Sequence, residues 1–125
     1  MDVKRIESFR DLIIWQKSID LVENIYQITD KLPKKETWVL LSQMRRAAIS
    51  IPSNIAEGYG RHTTGEYKHY LSISRGSLLE LETQIYICQR LKFFTLQEIE
   101  LILLNIQEIN KMFNSLINKM RNQER

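Results

Sequence analysis

Two histidines, one cysteine and a scatter of carboxylates and basic residues are the side chains with which this 125-residue chain could do chemistry. Glu66-x-x-His69 has the spacing that carboxylate-bridged metal bundles use, since residues three apart on a helix can reach one ion. Such a centre needs a second copy of the motif and a glutamate from each remaining helix, and the chain holds one copy. Glu98, Glu100 and Glu108 fall off the apolar seam of their helix, and Glu66 is accounted for as a capping acid after Thr63. No metal site and no cofactor are expected. Cys88 has no base near it in sequence and lies on an apolar seam, which predicts a small buried hydrophobe rather than a nucleophile. With no catalytic constellation elsewhere, the chain is not expected to be an enzyme.

The basic positions carry more. Arg45, Arg46 and Arg61, with Lys34 and Lys35 ahead of them, outnumber Glu36 and Glu57 in the same stretch, and such residues could bind phosphates. The competing reading is that they pair within the protein. Glu57 precedes Arg61 by four, the favourable helical order, and an antiparallel register of the second and third helices puts Arg46 opposite Glu80. Arg45 points about 100° away from Arg46 and has no acidic partner in that scheme. Arg45, Lys34, Lys35 and Arg61 are therefore the candidate nucleic-acid contacts. A formal charge of +3 and a pI near 9.1 permit an RNA or DNA partner, or an acidic protein, without demanding one.

Four helices must position these residues, over about 9–32, 36–60, 64–92 and 96–121. Ser8 with Asp11 resembles a capping box and opens the first. Leu12, Trp15, Ile19, Val22, Tyr26 and Thr29 then alternate by three and four, the seam of a bundle helix. A second stripe, Ile14, Leu21, Ile25, Ile28 and Leu32, lies beside it, and together the two cover about 200° of the circumference, more than one core-facing stripe needs. That surplus predicts an oligomer interface on the second stripe. Leu32-Pro33 ends the helix. The second helix carries Trp38, Leu41, Met44, Ala48, Ile51, Ile55 and Gly58 inward and should kink at Pro52, with Gly58 and Gly60 offering left-handed caps. Thr63 with Glu66 and Thr95 with Glu98 are capping boxes for the last two helices. Their seams run Tyr67, Leu71, Ser74, Leu78, Leu81, Ile85, Cys88 and Ile99, Ile102, Ile106, Ile109, Phe113, Leu116, Met120. Leu101, Leu104 and Met112 should widen the last seam. Small residues, Gly65, Ser72, Gly76 and Thr83, share the far side of the third helix. The carboxy-terminal segment sets Lys119, Arg121 and Arg125 against Glu124.

Such spacing with short loops predicts an all-α fold, an up-down-up-down antiparallel left-handed four-helix bundle in one domain, 1–125. A turn centred near residue 63 pairs Leu41 with Ile85, Met44 with Leu81, Ala48 with Leu78, Ile51 with Ser74 and Ile55 with Leu71. A lone cysteine and the lack of a long apolar span point to the cytoplasm and away from a membrane.

FRDLIIWQKS, QMRRAAISIPSNIAEGYGR and SRGSLLELETQI together resemble the bacterial four-helix bundle proteins called 23S rRNA intervening sequence proteins, across roughly residues 9 to 90. The segment Ser50 to Gly58 is the most specific part, with Gly76-Ser77 to Glu80-x-Glu82 in support, and the motif positions are Ser50, Pro52, Asn54, Glu57 and Gly58. Where that family usually has a glycine after the third helix, this chain has Lys92. The resemblance implies a non-enzymatic bundle that assembles with itself as a cyclic pentamer. A more distant likeness, to accessory proteins of diversity-generating retroelements, implies association with nucleic acid and a partner protein. The alternative is a protein-interaction scaffold whose charges only solubilise it.

Overall fold

A computed structural model of the chain describes residues 5–123; Glu124 and Arg125 lie outside them. Four α-helices, α1 (Ile13–Thr29), α2 (Ser42–Tyr59), α3 (Thr64–Arg90) and α4 (Leu96–Gln123), surround one apolar core, with no strand among the described residues. α2 and α3 run antiparallel. Met44 lies against Cys88 at one end (Sδ to Sγ 3.6 Å), the Ser74 hydroxyl donates to the Ile51 carbonyl at 2.6 Å in the middle, and Gly58 meets Tyr70 at the other end. α1 and α4 are antiparallel as well, tied by Lys17 to Glu108 (2.6 Å) and by Lys31 to Glu98.

The start of α1 is a correction. Ser8 and Asp11 do form a capping box, but it closes a single 3-10 turn at Phe9–Asp11. Leu12 then turns extended (φ −72, ψ 126), so the α-helix begins at Ile13. The two stripes of this helix largely exchange the places expected of them, Thr29 of the first staying buried. Ile14, Leu21, Ile25, Ile28 and Leu32 are all within the core, Ile25 at 0 % exposure, while Trp15 and Val22 are half-buried and Tyr26 is exposed. Ser18 explains the exchange, because with it the buried set steps 14, 18, 21, 25, 28, 32 by four and three throughout. Its hydroxyl donates to the Ile14 carbonyl at 2.7 Å, and a buried hydroxyl so satisfied does not interrupt an apolar seam. The stripe assigned to an oligomer interface is thus the bundle's own core.

α1 ends at Thr29, short of the expected Leu32, and its end tightens as the Lys31 and Leu32 N–H groups donate to the Ile28 and Thr29 carbonyls ahead of Pro33; the chain then enters α2 through a 3-10 turn at Lys34–Glu36 and a π-helical turn at Thr37–Leu41. A π turn holds an extra residue within the helical ladder, which shifts the facing of the side chains it contains. Leu40 takes the inward place, and Trp38, expected on the seam, is 86 % exposed. α2 then runs through Pro52 without interruption. Gly58 is buried, and both it and the exposed capping Gly60 are right-handed, so the left-handed caps expected there are absent. Gly58 has a different reason to be glycine: a Cβ would come within 2.6 Å of the Tyr70 Cβ, so its lack of a side chain is what lets α2 and α3 approach.

Thr63 caps α3 by accepting from the Glu66 N–H at 3.1 Å. Among the described residues the left-handed one is Lys92 (φ 67), just past α3, where the Phe93 N–H reaches back to the Cys88 carbonyl at 2.8 Å. That is the position at which the family resemblance leads one to expect a glycine. Thr95 and Glu98 complete a reciprocal box at the start of α4, at 2.8 and 3.1 Å. On α4, Ile99, Ile102, Ile106, Ile109 and Phe113 are buried as expected, with Ile117 taking the next inward place, whereas Leu101 and Leu104 face solvent instead of widening the seam. No helix among the described residues is long and apolar enough to cross a membrane.

Candidate functional site

The expected basic contacts do not come together as one site. Arg45 is committed to the end of α1. Its Nε donates to the Thr29 hydroxyl at 3.0 Å, its Nη2 to the Tyr26 carbonyl at 3.2 Å and to the Asp30 carboxylate at 2.9 Å, and the guanidinium lies 4.3 Å over the Tyr26 ring. A cation at a helix C-terminus satisfies carbonyls left without partners and complements the dipole. The reading of Arg45 as the unpartnered arginine is therefore corrected. Arg46 binds Gln43 at 2.8 Å rather than Glu80. Arg61, at the opposite end of α2, pairs with Glu57 at 2.9 Å, reaches the Tyr70 hydroxyl at 2.6 Å and sits 4.8 Å over that ring.

Lys34 and Lys35 behave differently. The turn that holds them sits beside the α3–α4 connection, which the Lys31–Glu98 pair and the shared burial of Leu32, Leu40 and Phe94 bring to the same end of the bundle. Lys34, Lys35, Arg90 and Lys92 are all exposed there, and none has an ion-pair partner among the described residues. The neighbouring acids are largely occupied: Asp30 holds Arg45 and Glu98 holds Lys31, leaving Glu36 and Glu100. The Lys31 ammonium and the Thr95 N–H keep the Glu98 carboxyl down at about 2, well below the usual range. Trp38, Val39, Leu91 and Leu96 are exposed at this end as well. Reasoning from sequence missed Arg90, Lys92 and Trp38. The signal was available, since antiparallel helices with short turns place the first and third connections side by side.

The remaining candidates are structural in placement. Ser50, Asn54 and Ser77 form a small network between α2 and α3: the Asn54 amide donates to the Ser50 carbonyl at 2.8 Å and hydroxyl at 2.9 Å, and the two serine hydroxyls are 2.9 Å apart. Pro52 is buried on the other flank of α2 and lines a shallow apolar groove of about 300 Å³ with Trp15, Ile19, Val22, Ile49 and Ala56. Cys88 is buried, and burial together with the negative charge of Glu36 pushes its thiol up to about 11. Glu66 and His69 are both exposed, and no three His, Cys, Asp or Glu side chains among the described residues gather as a metal would require.

The model of the 23S rRNA-intervening sequence protein family matches residues 10–115. The chain belongs to that family. The match covers all of α1, α2 and α3 and most of α4, and so extends the likeness beyond the three quoted stretches. A similar fold is seen in the crystal structure of a protein with unknown function from the S23 ribosomal protein family of Bacteroides thetaiotaomicron, with 24% identity and a TM-score of 0.78. The similarity covers 84% of this chain and 98% of that one. No curated protein matches. For this family member, the comparisons thus fix the bundle.

Proposed function

We propose that this 23S rRNA-intervening sequence protein is a non-catalytic cytoplasmic bundle that assembles with itself and associates with nucleic acid through one basic end. The observation that carries the reading is the set of four cations with no ion-pair partner among the described residues, Lys34, Lys35, Arg90 and Lys92, at the end where the first and third connections lie. Charges engaged in internal pairs have little left to offer a phosphate, and these four are free to neutralise one. Arg45 and Arg61 leave the list for the opposite reason. Self-assembly is supported by the groove between α1 and α2, where Trp15, Ile19, Val22 and Ile49 remain open to solvent in a single copy. A cyclic pentamer is the assembly that the family resemblance implies, and a ring needs a heterologous contact of this kind.

Titrating the purified protein with structured RNA and with DNA over a range of salt tests the reading. Affinity that falls steeply and linearly on logarithmic axes is the expected result, with each phosphate contact adding about 0.9 to the slope on duplex DNA. Absence of binding at low salt would favour the protein-interaction scaffold.

A further inference from the structure

Four cations account for phosphate contacts, but they do not account for Trp38. A tryptophan is rarely bare, yet this one is 86 % exposed, and among the described residues no ring or guanidinium covers its faces. Its place is fixed by the fold. The π-helical turn at Thr37–Leu41 rotates Trp38 outward while Leu40 anchors the same turn in the core. The indole is therefore carried on a helical support three residues after Lys35 and four after Lys34, with Arg90 at the end of α3 and Lys92 on the connection that follows it. An exposed aromatic face among unpaired cations matches the chemistry of a nucleotide strand, which offers both flat bases and phosphates. An acidic peptide would engage the cations and leave the indole face unused.

We propose that Trp38 is a stacking platform for an unpaired base, with the phosphates of the same strand held by Lys34, Lys35, Arg90 and Lys92. This end of the bundle then selects single-stranded nucleic acid over duplex. The inference rests on the nucleic-acid reading above and adds the ligand class to it. In a duplex the bases are already stacked on one another and present no free face except at the ends, so a rigid indole gains its contact only from unpaired nucleotides.

The test reads Trp38 directly. The chain has two tryptophans, so Trp15→Phe leaves Trp38 as the only indole; should that variant lose its helical spectrum, the difference between wild type and Trp38→Ala isolates the same signal. Single-stranded RNA and DNA, their duplexes, polyglutamate and vesicles of anionic lipid are each titrated while indole fluorescence is followed. Single strands are expected to quench Trp38 and to bind more tightly than the duplexes. Trp38→Ala is expected to weaken strand binding by about tenfold or more. Quenching by either strand supports the platform, and the more effective of the two identifies the nucleic acid. Equal binding of strand and duplex, with Trp38→Ala without effect, overturns the platform and leaves the nucleic-acid reading standing. No binding to any nucleic acid, or quenching by polyglutamate or vesicles alone, overturns both.

Discussion

Arg45 shows how one side chain can be misread from sequence and what it does instead. The acid it pairs with, Asp30, is fifteen residues away in the chain, beyond any helical spacing rule, and it comes into reach only because α1 ends beside the start of α2. With its side chain only 23% exposed and its guanidinium engaging Thr29, Tyr26 and Asp30, it acts as a clasp between two helices. Arg45→Ala should lower stability by about 1.5–3 kcal/mol, the range for hydrogen bonds made by a charged group, read as a shift in the urea midpoint. Arg46→Ala, which loses one exposed contact to Gln43, should stay within about 0.5 kcal/mol. Lys92 runs the other way. A side chain in the left-handed region is strained by roughly 1–2 kcal/mol, and glycine removes that strain but loses chain entropy on folding. Lys92→Gly should therefore raise stability, by about 1 kcal/mol, in the same urea experiment.

α3 from Leu71 onward and the first half of α4 were legible because a single four-three stripe stands out on each, and the residues it selects are buried, Ser74 among them. α1 was not, because its two apolar stripes lie side by side and periodicity cannot rank them. Ser18, polar by type and buried by virtue of its bond to the Ile14 carbonyl, is what makes the inner seam continuous. The π turn before α2 was also illegible, since no composition rule announces one extra residue in a helical ladder, and it moved Trp38 from the expected core to the surface. N-terminal capping by Ser8, Thr63 and Thr95, by contrast, follows local chemistry and was read from sequence, whereas the glycine caps expected after α2 were not found. It also carries a pH signature at α4. Glu98 is held by Lys31 and Thr95 at about 2, below its ordinary value of 4.5, so its contribution is fully present above that ordinary value and is lost as pH falls toward the folded one. The stability difference between wild type and Glu98→Gln should accordingly shrink between about pH 5 and pH 2; a difference that does not change with pH would remove the ion pair from the account.

At the scale of the whole molecule, the fold, the family and the core are consistent, and the surfaces decide what the bundle does. If copies meet through the groove between α1 and α2, Ile49→Asp should leave the helical spectrum intact and reduce the mass seen by light scattering, because Ile49 is 44 % exposed in a single chain. Ile25→Asp should instead unfold the chain, since it places a carboxylate at a position with no solvent access. An assembly unaffected by Ile49→Asp would take the groove out of the interface. The central claim, that nucleic acid is met by the free cations of one end, is tested most directly by the salt dependence of single-strand binding in two variants. Lys34→Gln combined with Lys35→Gln should reduce the slope by about 1.4, the effect of two phosphate contacts on a single strand, while Arg61→Ala, at the far end and paired with Glu57, should leave it unchanged. A slope that falls with Arg61→Ala and not with the lysine pair would contradict the account.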